Sequence, residues 1–156
     1  MNDRFVPLFL LLLLGGVADG CRTAPPLGAV DLHAPGWRIR QGQAVWTRPP
    51  GGEGVAGELL LATRADGACW VQFAKPPFTL ATAQVEAGGW RAEIPAARQR
   101  RAGRGQPPGT CLWFALADAL DGKPVDDKWR FEARGVDGWC LTNGATGEGI
   151  EGYLIP

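Results

Sequence analysis

The stretch 128–155 alternates in a way that few folds can accommodate. Lys128-Trp-Arg-Phe-Glu-Ala-Arg134 switches between polar and apolar at every step. A period of two belongs to a strand with one face covered and the other in water. Val136-Asp137-Gly138 then supplies a turn, residues 139–142 a second strand, Asn143-Gly144 another turn, and residues 148–155 a third strand. Slipping the pairing by one residue would move the whole apolar set into water. The pattern therefore predicts a three-stranded antiparallel meander with Trp129, Phe131, Leu141 and Leu154 on one greasy face. Gly147, Gly149 and Gly152 predict bulges or strong curvature in its last strand.

The same logic extends upstream. Residues 37–47 place Trp37, Ile39 and Val45 on one side and Arg38, Arg40 and Trp46 on the other. Residues 57–63, 69–74, 78–86 and 90–94 are further strands, separated by Ala65-Asp66-Gly67, Pro76-Pro77 and Ala87-Gly88-Gly89. Residues 95–104 break the rhythm: a proline followed by Ala-Ala-Arg-Gln-Arg-Arg-Ala predicts a short surface helix, with Gly103 ending it. Residues 110–114 suit a strand. Residues 115–120 suit one or two helical turns stopped by Asp121-Gly122. The fold class expected is mainly β: a curved antiparallel sheet or incomplete β-barrel of about eight strands. One or two short helices would lie over its concave face.

The N-terminus reads as an export signal. Arg4 precedes an apolar run over residues 5–14, and small residues lead to Ala18-Asp19-Gly20-Cys21. The run is shorter than the ~20 apolar residues a spanning helix needs. Ala18, Gly20 and Cys21 fit a bacterial lipobox, in which the cysteine is acylated and becomes the first mature residue. The organisation expected is a lipoprotein signal peptide over 1–20, a lipidated Cys21 with a Pro-rich tether over 21–35, and a single β-rich domain over 36–156. Several acyl chains on one residue anchor stably, because each buried methylene contributes about 0.8 kcal/mol. The location implied is the cell envelope, most simply the outer membrane facing the periplasm.

Composition excludes several function classes. Sixteen basic side chains balance sixteen acidic ones, which argues against nucleic acid as a partner. There is no serine, and the single histidine, His33, lies in the tether, so a Ser-His-Asp arrangement cannot be assembled. No phosphate-binding glycine loop opens a helix. Glu148, Glu151, Asp126 and Asp127 read as solvated or turn-forming acids rather than an acid–base pair. Neither an enzyme nor a cofactor is expected, and no Cys-x-x-Cys pair marks a metal site. Cys69, Cys111 and Cys140 suit small buried hydrophobes, or one bridge of Cys140 with Cys69 or Cys111.

Two features remain as candidate sites. Seven tryptophans against one tyrosine supply more apolar area than short helices easily cover. Trp37, Trp46, Trp70, Trp90, Trp113 and Trp129, with Phe78 and Phe131, are candidates for the wall of an apolar ligand site, although each also suits an ordinary core. Lys75-Pro-Pro-Phe78 could also form an exposed apolar tip. Arg98, Arg100, Arg101 and Arg104 form a basic cluster with no acid between Glu93 and Asp118. It suits either a solvated face or contact with anionic head groups.

The opening strand Trp37-Arg-Ile-Arg-Gln-Gly-Gln-Ala-Val45, after a lipobox and a Pro-rich tether, resembles the start of the LolA/LolB-like lipoprotein-carrier superfamily. The next hairpin, with Gly57-Glu-Leu-Leu-Leu61, and the aromatic-rich strands to Glu93 are compatible with it. The resemblance implies an incomplete β-barrel with a helical lid and an apolar cavity, binding acyl chains of lipoproteins or other lipids. It implies no catalytic residue. Arg22 after the cysteine is similar to signals that permit outer-membrane sorting. This chain is shorter than such carriers and has less helix.

Overall fold

A computed structural model describes residues 27–49 and 52–155. The signal segment, the lipobox and Cys21 lie outside the described residues. The elements run β1 Arg38–Thr47, β2 Val55–Thr63, β3 Cys69–Lys75, β4 Phe78–Glu86, β5 Gly89–Ile94, a 3-10 turn Pro95–Ala97, β6 Gln99–Arg104, α1 Leu112–Leu120, β7 Trp129–Arg134, β8 Gly138–Asn143 and β9 Gly149–Ile155. All nine strands form one antiparallel sheet in the order β6-β5-β4-β3-β2-β1-β9-β8-β7. Two meanders are therefore joined by α1, and the last strand returns to lie beside the first. The sheet does not close: β6 and β7 are its edges. The mainly-β open sheet read from the sequence is correct.

Two local expectations are not met. Residues 95–104 make only one 3-10 turn before entering β6. Their helix-forming composition is overridden by pairing with β5, where Gly103 lies opposite Trp90. A Cβ at Gly103 would stand 2.7 Å from the Trp90 indole, so the strand needs glycine there. Residues 110–114 are not a strand: α1 begins at Leu112. Seven of its nine residues are buried, so the helix shows no polar stripe from which its period could be read.

Strand register sorts the side chains onto two faces. The inner face carries Trp46, Leu59, Leu61, Val71, Phe73, Ala83, Leu141 and Ile150, all buried, and α1 packs against it. Trp113 on α1 meets Trp46 edge-on at 5.1 Å and stacks on Phe73 at 5.6 Å, while Phe114 meets Trp90 edge-on at 5.7 Å. Such pairs contribute beyond their buried area. The backbones of β1 and β9 leave no room for a side chain at two glycines, one on each strand. A Cβ at Gly42 would run into the Tyr153 carbonyl, and one at Gly152 into the Gln43 carbonyl.

The end of α1 ties it to the sheet. The Lys123 N–H donates to the Asp118 carbonyl and the Gly122 N–H to the Ala119 carbonyl, with Gly122 at φ +72°. This is the Schellman arrangement that stops a helix. Beside it Asp121 accepts from Arg38 at 2.6 Å and Arg40 at 3.0 Å, both on β1. A carboxylate at a helix C-terminus is unfavourable against the dipole; two guanidinium groups offset that cost.

Candidate functional site

The helix is too small for the face it covers. Nine residues of α1 span about 13 Å at 10 Å width, whereas nine strands extend about 38 Å across the sheet. The middle of the inner face is filled and its flanks are not. On the β5 side, Val85, Trp90, Ala92 and Ile94 pack against the core without being fully buried. On the β7 side, Phe131 keeps 36% of its surface exposed.

On the β5 side this leaves a cleft of about 690 Å3 between α1, the ends of β3 and β4, and the loop after β6. Its walls include Cys69, Val85, Phe114 and Ala117, and its rim carries Asp66, Glu86, Asp118, Asp121 and Lys123. The Cys69 thiol is pushed up to about 12, chiefly by burial and secondarily by the charge of Asp118. It therefore serves as apolar wall and not as a nucleophile. A second depression, of about 650 Å3, lies on the outer face among Val45, Ala56, Pro76 and Tyr153. Its floor is strand backbone, and Val45 and Tyr153 are 37% and 43% exposed, so it shields a ligand less than the inner cleft.

The sequence candidates divide between these places. Trp46, Trp113 and Trp129 are buried in the core, and Trp129 Nε1 donates to the Gly109 carbonyl at 2.9 Å. Trp90 packs edge-on against Phe114, itself a wall of the inner cleft. Trp37 lies under the Arg64 guanidinium at 5.0 Å, and Trp70 is half-buried on the outer face. Phe78, at the β3–β4 turn, is 69% exposed. The structure therefore does not gather the aromatic candidates around one cavity.

The arginine cluster is split by the pleat. Arg100 and Arg104 fall on the outer face with Ala102, while Arg101 falls on the inner face with Gly103. Arg98 takes a left-handed conformation, φ 51°, at the turn into β6. Arg100 pairs with Glu93 at 3.1 Å.

Three features had little sequence signal. Glu148 accepts from Trp46 Nε1 at 3.2 Å, and burial raises its carboxyl above the ordinary range against that hydrogen bond. The tether is not free along its length: the Gly28 carbonyl accepts from Gln84, and the Leu27 carbonyl from Arg91. Gln84 is 1% exposed, and it also accepts from Arg91 at 2.8 Å. The three described cysteines form no bridge: Cys69 lies on the inner face, Cys111 at the start of α1 and Cys140 on the outer face beside Thr142. Among the described residues no cluster of His, Cys, Asp or Glu is arranged to hold a metal, and no helix is long and apolar enough to cross a membrane.

No known protein family matches the chain, and no curated protein matches it either.

Proposed function

We propose that this chain is a bacterial envelope lipoprotein, anchored through Cys21, that binds an apolar or acylated ligand as a carrier or receptor in the manner of LolB-like proteins. The observation that carries this reading is the mismatch between one short helix and the inner face of a nine-stranded sheet, which leaves the cleft beside Phe114 and Val85. An acyl chain laid there would cover the half-buried Val85 and the walls at Phe114 and Ala117, and each methylene removed from water contributes about 0.8 kcal/mol. The test is uptake of a fluorescent fatty acid by the mature protein. Ala117→Trp, which fills the cleft, abolishes uptake on this reading, and Val45→Arg in the outer depression leaves it intact. Uptake that survives Ala117→Trp overturns the assignment. Radioactive palmitate incorporation that disappears in Cys21→Ser tests the anchor separately.

A second reading is favoured by the packing of Trp46, Phe73 and Trp113. On it, the inner face is ordinary core and the domain presents its outer face to a protein partner in the envelope. It predicts no uptake of fatty acid by the wild-type protein and a specific photocrosslink from Tyr153.

A further inference from the structure

The tether and the arginines meet on the outer face. Ile39, Ala62, Trp70, Gln84, Arg91 and Ala102 occupy one row across β1 to β6. Ala62 points outward yet is 0% exposed, so something covers it. The segment before β1 starts from Gly36 beside Arg64 and reaches Gln84 on β4 with its Gly28 carbonyl. One residue earlier, Leu27 reaches Arg91 on β5. Moving back towards the N-terminus, the chain thus advances strand by strand towards the β6 edge. The two side chains that receive it are partly or wholly removed from water, and each uses a charged or amide group on a backbone carbonyl. This is a built seat for the tether.

The distance left is short. Cys21 is six residues before Leu27, and six residues reach at most about 22 Å. A lipid on Cys21 therefore holds the β5–β6 side of the outer face within a fraction of the domain's width of the bilayer. That side displays Arg98 at the turn and Arg100 and Arg104 on the strand, all exposed, with Glu93 as the one acid paired to them.

We propose that the outer face of β6, through Arg98, Arg100 and Arg104, rests on anionic phospholipid head groups of the membrane that holds the lipidated Cys21. The proposal deepens the envelope reading and depends on it for the orientation, while the contact itself is independent of the ligand cleft. Arg101 is excluded from the contact. It points to the inner face, beside Gly103 and opposite Ala92. Edge arginines also discourage pairing with other sheets, but that role would use both faces of β6 alike and needs no tether at the same edge.

The test uses the mature chain from residue 21 carrying Cys21→Ser, so that no acyl group contributes, and sedimentation with vesicles at low salt. Binding is expected to phosphatidylglycerol-containing vesicles and not to pure phosphatidylcholine. Each arginine at such a surface changes partitioning about fivefold, so Arg100→Gln with Arg104→Gln lowers it about 25-fold and Arg101→Gln lowers it less than about twofold. Raising salt abolishes it. Equal loss with Arg101→Gln, equal binding to neutral vesicles, or no binding to anionic ones overturns the proposal. Polyglutamate bound as tightly, with the same arginine dependence, would assign the face to an acidic protein instead and overturn it too. Ala117→Trp leaves vesicle binding unchanged, so failure here is separable from failure of the ligand cleft, and palmitate labelling reports on the anchor alone.

Discussion

Trp46 Nε1 donates to Glu148 across the seam between β1 and the loop that leads into β9, at 3.2 Å. The indole is buried and the carboxylate half-buried. Desolvation raises the Glu148 carboxyl, and the indole hydrogen bond only partly opposes it. An acid whose folded value is raised binds its proton more tightly when folded. Its ionisation therefore costs stability as pH rises through the unfolded value towards the folded one, and the cost is fully present above the folded value. Below the ordinary glutamate range it vanishes. Glu148→Gln keeps an acceptor for Trp46 and removes the charge. The variant should be slightly more stable than wild type at pH 7, by well under about 1 kcal/mol because the group is partly solvated, and equal to it near pH 3.5. Urea unfolding at the two pH values checks this, and a variant less stable at pH 7 would refute it.

Trp113 is the keystone of the contact between α1 and the sheet, touching both Trp46 and Phe73. Trp113→Ala should cost about 3–5 kcal/mol, the range for deleting a buried large aromatic. Trp113→Phe keeps the stack on Phe73 and should cost less than half of that. If α1 instead sat loosely on the face, both substitutions would shift the unfolding midpoint by a similar small amount.

The distribution of what could be read beforehand follows from how local each cause is. The meander β7–β8–β9 was legible because its turns, over residues 135–137 and 144–146, carry glycine, aspartate and asparagine signals within or beside the alternation that they punctuate. The strand β6 was not, because Pro95 and the Arg/Ala run carry helical propensity and the opposing cause, Trp90 lying over Gly103, is supplied by another strand. The start of α1 carries no such signal, because a helix buried nearly all round loses its period. Whether Trp46 walls a cavity or fills a core depends on where α1 lands, and nothing within residues 37–47 encodes that. The seat of the tether on Gln84 and Arg91 joins residues more than fifty positions apart, beyond any spacing argument.

Asp121 gathers charges from two parts of the chain. Its carboxylate is 10% exposed and receives Arg38 and Arg40, with Lys123 at 3.7 Å. Burial lowers the Arg40 guanidinium and Asp121 opposes that, while Arg40 Nε is buried without a partner among the described residues. Removing the acid strands a partly buried cation. Asp121→Ala should therefore cost about 2–3 kcal/mol, with Asp121→Asn intermediate. Adding Arg40→Met to Asp121→Ala should recover part of the loss, since the stranded charge goes with it. Additive losses in the double variant would show that the ion pair is not what the acid contributes.

The three described cysteines should separate by reactivity. Cys69 is 7% exposed, with its thiol raised to about 12 by burial, and Cys111 is raised for the same first reason. Cys140 is half-buried on the outer face, in contact with Thr142 at 3.4 Å. Attack on a maleimide or an aromatic disulfide needs the thiolate and a path to it. In a chain carrying Cys21→Ser, native protein at pH 8 should label at Cys140 first, and at Cys69 only on unfolding. The rate at Cys69 then reports opening of the inner face. Trp113→Ala should speed it, by the same factor by which it raises the unfolded population. Peptide mass spectrometry of timed labelling resolves the sites. A rate at Cys69 unchanged in Trp113→Ala would mean that the thiol is reached by a local opening beside α1 and not through loss of the helix from the sheet.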